Sequence, residues 1–456
     1  MHENFDLDLL LELVEQKKLR QLREILQEMN EVDIASFLDE LKPEQLIVVF
    51  RLLPKGLAAD VFSYMEDIDS QQRLVSSLSD KELREVLDEL YVDDAVDIIE
   101  DMPANLVTRI LRNTDPSTRH QINQLLNYPK DSAGSIMTTE YVFLHPEDTV
   151  AESFARIRKV GLDKETVYTC YVTKSRILQG VVTVRQLLLS DYETKISDIM
   201  ETNVLSVKTT DDKEAAAQLL SRYDFTALPV VDGENRLVGI ITVDDAMDVM
   251  EEEATEDFEK MAAILPSDKP YLKTGVFETA RARLPWLMLL MLSATFTGVI
   301  LTGFESALAA CVVLTAFIPM LTGTGGNAGA QSSVAVIRAL SLGEVESRDL
   351  WGVIWKEIRV SVLCGIALGA VNFGKMLLVD GWLLHNPEVT VMVSAVVCLT
   401  LAVTVVCAKV VGCLLPMAAD KLGIDPAVMA SPFITTVVDV LSLLIYFGIA
   451  VELLGL

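Results

Sequence analysis

From Phe433 to Val451 the chain reads FITTVVDVLSLLIYFGIAV, nineteen residues whose single charge is Asp439. A run this long and apolar crosses a bilayer as a helix, which excludes a chain folded wholly in water. A carboxylate near the middle of such a helix is disfavoured by roughly 3 kcal/mol on insertion scales. Two readings account for it: a group that handles an ion or a proton, or a carboxylate that caps or packs helices.

Charge divides the chain. Residues 281–456 hold nine Lys/Arg and eleven Asp/Glu, which leaves 29 basic and 55 acidic residues in 1–280. A strongly acidic soluble half therefore precedes an apolar half. Nucleic acid is excluded as a partner by sign, whereas a dense negative surface gathers cations. The start, MHENFDLDLL, lacks a basic n-region and a small-residue cleavage site, so the soluble half is expected in the cytoplasm. Six scattered cysteines form no CxxC pair and read as free thiols, and four scattered histidines give a zinc site no support.

Residues 5–128 read as short amphipathic helices, punctuated by Pro43, Pro54, Pro103 and Pro116 or started by Asp and Ser caps. Such units at short spacing predict an all-α N-domain built as a small solenoid over 1–130. Asp93 and Asp97 fall one turn apart on one helix face, which by itself reads as a solvated face.

Residues 131–250 contain a repeat. SIMTTEYVFLHPEDTVAESFARI parallels DIMETNVLSVKTTDDKEAAAQLL, and each copy continues through an apolar strand to GVVTVRQLL or GIITVDDAM. Strands alternating with helices predict an α/β unit present twice. The pattern resembles a tandem pair of CBS domains. That resemblance implies adenine-nucleotide binding, with Thr242 and Asp245 on phosphate and ribose and Phe225 against the base. The first copy has Thr183 but Gln186 in place of the Asp, so ATP at the CBS domains and a purely structural pair both stay open.

Residues 251–280 begin with EEEATEDFEK and read as an acidic amphipathic connecting helix, either solvated or with cations between its carboxylates. The apolar half, 281–456, reads as five spans: 284–302, 307–337, 358–379, 389–415 and 428–454. Arg281 and Arg283, then Arg338, Arg348, Lys356 and Arg359, then Lys409 and Lys421 mark alternate loops as inside, so the C-terminus is expected outside. In the second span PMLTGTGGNAGAQSS reads either as close small-residue packing or as a helix broken at Gly323–Gly329, with Gly325, Gly326 and Asn327 lining a wet path.

An α-helical N-domain, paired CBS domains, EEATED, five spans, PMLTGTGGNAGAQ and a last span with Pro432 seven residues before Asp439 stand in this order. Together they resemble the MgtE family of magnesium channels along essentially the whole chain. The resemblance implies a plasma-membrane homodimer importing Mg2+ through a pore on the two-fold axis; an enzyme is not expected, because the sequence offers no nucleophile–base pair or P-loop. Hydrated Mg2+ would meet Asp439 of both subunits, with Ser431 nearby where relatives often carry Asn. Mg2+ keeps several waters, so a site that holds its hydration shell from outside suits it. The resemblance also implies regulatory Mg2+ at Asp60, Asp93 and Asp97, at Asp212, Glu214 and Asp224, at Asp245, Asp248, Glu253, Glu256 and Asp257, and at Asp425. Mg2+ bound there would let the acidic surfaces pack and close the pore. A cation-coupled divalent-metal carrier and a membrane-anchored Mg2+ or nucleotide sensor without transport are the competing readings. A single mid-membrane charge and no repeat among the spans speak against the carrier; the sensor leaves Asp439 unused.

Overall fold

The computed structural model describes residues 7–267, 271–272, 274–385, 387–429 and 431–455, without the side chains of Asp163 and Ser431. The chain divides into two compact units, Met1–Glu251 and Glu252–Leu456.

The first unit opens with ten short helices among the described residues. They are α1 (Leu7–Glu15), α2 (Leu19–Leu26), α3 (Glu31–Asp39), α4 (Pro43–Phe50), α5 (Lys55–Ser63), α6 (Ile68–Ser77), α7 (Asp80–Leu87), α8 (Val92–Glu100), α9 (Ala104–Asn113) and α10 (Pro116–Leu125). Their ends explain their shortness. Pro43 and Pro116 sit in first turns, and the side chains of Asn30, Asp67, Ser79 and Asp115 accept first-turn N–H groups. The apolar stripes pack helix on next-but-one helix, α3 on α5, α5 on α7 and α7 on α9, with α8 against α10. Leu22, Ile34, Leu46, Leu74, Leu83 and Ile110 are fully buried between them.

The repeat folds twice into the same three-stranded sheet. The first copy holds β1 (Tyr141–Leu144), α11 (Val150–Val160), β2 (Thr166–Lys174), β3 (Ile177–Thr183) and α12 (Val184–Leu189). Then α13 (Ile196–Ile199) leads into β4 (Val207–Lys208), α14 (Lys213–Tyr223), β5 (Ala227–Val231), β6 (Leu237–Thr242) and α15 (Val243–Met261). In each sheet the first two strands are parallel and the last two antiparallel. The repeated Ile-Met and Gly motifs meet across the two copies. A methyl group on Gly239 would lie 2.6 Å from Met137 Sδ, and one on Gly180 3.0 Å from Met200 Sδ. Thr138 exchanges backbone bonds with Ile240, and Glu201 with Val181. Only glycine admits so close a crossing.

The helix α15 ends at Met261, so the described residues from 262 to 275, expected to continue the connecting helix, are not helical. The second unit then holds α16 (Val276–Gly303), α17 (Glu305–Ala310), a 3₁₀ stretch Val312–Phe317, α18 (Ile318–Ser341), α19 (Leu350–Lys375) continuing as a π-helix over Met376–Leu383, α20 (Val391–Lys421) and α21 (Ser431–Leu454). Among the described residues four helical segments are long and apolar enough to cross a membrane: Val276–Gly303, Ser347–Leu383, Val391–Lys421 and Pro426–Leu454.

One expectation is overturned. The helix does not break at Gly323–Gly329; α18 runs unbroken through all the glycines. The interruption lies upstream, at Cys311 and the 3₁₀ stretch before Ile318. Pro319 occupies the first turn of α18, where its missing N–H has no partner to lose. The glycines survive in a helix because they are packed: α18 lies against both α20 and α21, and close backbone approach offsets their weak helix propensity.

Candidate functional site

Two regions gather residues singled out above. The first surrounds Asp439, half-buried on α21. Its helix neighbours Thr435, four residues before, and Ser442, three after, share its face. Both touch the glycines of α18. A methyl group on Gly326 would lie 2.9 Å from Thr435 Cγ2, and one on Gly325 would lie 2.8 Å from Ser442 Oγ and from Thr404 Cγ2. Gly329 meets Ile434 at 2.9 Å in the same sense. The glycine stripe thus draws α18 onto the face of α21 that carries Asp439. Asn327, between these buried glycines, is exposed. Ser431 opens α21, and its side chain lies outside the described residues.

Asp439 is not the only buried charge of this unit. Lys409, expected at an inner loop, lies within α20 and is 6% exposed. Its ammonium stands 3.6 Å from Glu357 of α19 and donates at 3.1 Å to Ser332 Oγ of α18, while Ser332 donates to Glu357 at 2.6 Å. The assumption of one intramembrane charge is corrected accordingly. A lysine three residues beyond VTVV reads in one dimension as a helix end; its partners lie on two other helices.

The second region is acidic. On α8, Val92, Ala95, Val96, Ile98 and Ile99 form the buried stripe. Asp93 and Asp94 are half-buried beside it, and Asp97 keeps solvent contact. The solvated-face reading of Asp93 therefore fails. Carboxylate oxygens of Asp93, Glu140 and Glu165 all lie within 4.8 Å of one another. Asp93 Oδ1 and Glu165 Oε2 are buried with no hydrogen-bond partner, the condition that a bound cation relieves. Burial, then Asp94 and Glu140, pushes the Asp93 carboxyl up to about 7. Burial, then Asp93 and Asp245, pushes Glu165 up to about 8. Burial followed by neighbouring carboxylates raises Asp94 to about 7 and Asp245 to about 7. Such a set holds protons or binds a hard divalent cation through oxygen, as Mg2+ requires.

Glu140 and Glu165 escaped the sequence reading. Each directly precedes a strand, and the pairing of Tyr141 with Thr166 sets them side by side. The shared position of an acidic residue ahead of β1 and β2 was the available signal.

The other acidic residues are dispersed. Asp60, exposed on α5, has its carboxyl raised by partial burial and then by Glu31 and Glu89. Asp212 caps α14, accepting from the Glu214 amide at 2.8 Å, and Glu214 accepts from Gln218 at 3.0 Å. Asp224 sits at the far end of that helix in a left-handed conformation, φ 54°, so these three are not brought together within one chain. On α15, Asp248 is exposed and Glu253 half-buried. Farther along, Lys260 pairs with both Glu256 and Asp425 at 2.6 Å, and Asp257 takes a hydrogen bond from Ser341 beside them.

At the expected nucleotide residues, Thr242 Oγ1 donates to Asp245 at 2.5 Å. The Val243 amide donates to the Thr226 carbonyl at 3.1 Å, which brings Phe225, stacked on Tyr223 at 5.6 Å, beside them. In the first copy Thr183 and Gln186 spend their side chains on a reciprocal helix cap.

Residues 318–449 match the family model of the MgtE divalent cation transporter, residues 29–131 the MgtE intracellular N domain, and residues 133–192 and 196–252 the CBS domain. The chain is 40% identical to a magnesium transporter MgtE of Thermus thermophilus, with 97% of each chain covered. It is 34% identical to the magnesium transporter MgtE of Bacillus subtilis, over 92% of this chain and 93% of that one. Among solved structures, the cytosolic domain of the Mg2+ channel MgtE in complex with ATP is similar at 40% identity and TM-score 0.50, covering 53% of this chain and 98% of that one. The soluble part of a magnesium transporter is similar at 31% identity and TM-score 0.51, covering 54% and 98%. These relatives are transporters rather than enzymes, and the likeness runs through both the acidic half and the apolar helices. The chain therefore belongs to the MgtE family of magnesium transporters and is a membrane protein.

Proposed function

We propose that the chain forms a Mg2+-selective channel that imports Mg2+ across the plasma membrane and closes when cytosolic Mg2+ fills its acidic clusters. The observation that carries this reading is Asp439, half-buried in an apolar helix against the glycine face of α18. Asp439 would hold the hydrated ion, with Asn327, the backbone at Gly325 and Gly326, and Ser431 contacting its waters. Gating would use Asp60, Asp93, Asp97, Asp212, Glu214, Asp224, Asp245, Asp248, Glu253, Glu256, Asp257 and Asp425, joined by Glu140 and Glu165. Mg2+ at these groups favours the packed state over the self-repelling one.

The working unit would be a homodimer with two Asp439 residues facing each other. The absence of any buried residue on α16 within one copy leaves that helix for lipid or a second copy. Residues 1–130 form a superhelical N-domain, 131–250 the CBS pair, 251–280 the connector and 281–456 the pore domain. Counting α18 gives five crossings, which puts the N-terminus in the cytoplasm and the C-terminus outside. ATP would sit on the second CBS copy at Thr242, Asp245 and Phe225, as the ATP complex of the related cytosolic domain supports; the first copy would offer only Thr183.

The test is Mg2+ uptake into liposomes holding the purified full-length protein, with Asp439→Asn alongside. Uptake should be lost in the variant; wild-type uptake would remove Asp439 from the pathway. Single-channel currents separate the channel from a coupled carrier.

A further inference from the structure

We propose that Lys409, together with Glu357 and Ser332, positions the glycine face of α18 for ion passage and so helps set which ion passes. The three side chains come from three helices and meet at 2.6–3.6 Å. Ser332 Oγ is shared: it accepts from the ammonium and donates to the carboxylate. The side chains of Lys409 and Glu357 are 8% and 13% exposed. A pair this dry is held by its own geometry, since little water remains to replace a lost partner.

Its place in the helices gives it leverage. Ser332 follows Gly329 by three residues, and Lys409 precedes Gly412 by three. A methyl group on Gly412 would lie 2.2 Å from the Gly329 carbonyl oxygen, so α18 and α20 touch backbone to backbone one turn away. The polar triad therefore pins the rotation of α18 next to its close crossing with α20. The same glycine stripe also receives Val438 and Ser442 of α21, with Thr435 at Gly326. These are the residues that flank Asp439. A small rotation of α18 about its axis moves Asn327 relative to Asp439, and thus changes the spacing offered to the ion's water shell. Mg2+ and Co2+ differ in how they trade that shell, so a changed spacing alters their ratio and not only the rate. Lys409 acts through α18 and not by touching the ion.

The inference rests on Asp439 as the pore carboxylate, and the experiment keeps the two apart. Full-length Lys409→Met, Glu357→Gln, the double variant and Asp439→Asn are compared for Mg2+ and Co2+ uptake into liposomes. Each single variant at 357 or 409 should lose Mg2+ uptake by at least about tenfold, with the Mg2+:Co2+ ratio shifted. The double variant, in which no charge is left unpaired, should regain rate but not the wild-type ratio. Singles that transport like wild type, or that lose both ions in equal proportion, overturn the proposal. Should the singles fail to fold, the ratio of the double variant decides, and a wild-type ratio there overturns it. Normal Mg2+ uptake by Asp439→Asn would instead defeat the pore reading, whatever Lys409 does.

Discussion

The amide of Glu165 donates to the carbonyl of Glu140 at 3.0 Å, and this bond at the start of two parallel strands sets two carboxylates against Asp93 of α8. Three full negative charges within 4.8 Å of one another are not a resting arrangement. At about 4 Å and an effective dielectric constant of about 20, each like pair opposes the other by roughly 4 kcal/mol. The cluster must therefore carry protons, carry a cation, or come apart. That choice couples cytosolic chemistry to the packing of the first unit.

Removing one carboxylate should weaken the cation site without harming the fold, since Gln retains the shape. Glu165→Gln is expected to raise the Mg2+ concentration that protects the full-length protein from proteolysis at the N-domain, by roughly tenfold for one lost charge contact of about 1.4 kcal/mol. An unchanged protection curve would exclude Glu165 as a ligand.

The raised carboxyls also fix the sign of a pH effect. Asp93, Asp94 and Asp245 near 7, and Glu165 near 8, lie above their unfolded values near 4. Between pH 4 and 8 the folded state thus binds more protons than the unfolded one. Stability in chelator must fall as pH rises through that window. Added Mg2+ should flatten the slope, because it substitutes for the protons, and its binding should release protons at pH 7. Thermal unfolding of the soluble half, measured at pH 6 and pH 8 with and without Mg2+, reads both. A melting temperature that rises with pH in chelator would contradict the burial of these groups.

Much of this architecture was legible in one dimension, and the omissions share a cause. The stripes and caps of α1–α10 show in the spacing of Leu, Val and Ile, and the doubled Ile-Met and Gly elements show as a repeat. That Met137 packs on Gly239 while Met200 packs on Gly180 was not legible, because the contact is between copies. Glu140 and Glu165 are 25 positions apart and are neighbours only through strand pairing. Lys409 looked like an interfacial charge until Glu357 and Ser332 arrived from other helices. The glycines of α18 suggested a break because propensity is local, whereas their burial against α20 and α21 is tertiary. The acidic candidates on α14 matched a pattern, yet the helix separates Asp212 and Glu214 from Asp224 by about 16 Å of rise.

Among the glycines of the second unit, Gly412 leaves an added methyl group the least room. Gly412→Ala would drive a methyl group to 2.2 Å from the Gly329 carbonyl, and backbone cannot yield as a flexible side chain does. Overpacking of this kind costs about 1–3 kcal/mol. The variant should lower the detergent melting temperature and Mg2+ uptake together. Gly448→Ala, where no atom lies within 4 Å of the added methyl, should leave both unchanged and serves as the control. Equal behaviour of the two variants would disprove the close crossing of α18 and α20.

Under the proposed gating, Lys260 bears on closure. Its ammonium sits between Glu256 of the same helix and Asp425 ahead of α21, at 2.6 Å from each. Burial works against its charge, but the bonds from Asp425 and Glu256 more than offset this and hold it above the usual lysine range. The lysine is thus a built-in counter-ion for carboxylates that would otherwise repel, with Asp257 raised by burial and then by Asp425 alongside. Lys260→Met removes that counter-ion while keeping an apolar stem of similar length. At low internal Mg2+ the bared carboxylates should push α15 from the start of α21, so uptake into liposomes with chelated lumen should rise about two- to tenfold, a bias of the size common for coupled sites. With millimolar internal Mg2+ the ion meets the same carboxylates without displacing an ammonium, and inhibition should set in at a lower Mg2+ concentration than in wild type. Reduced uptake in chelator would show that Lys260 holds the pathway open rather than shut.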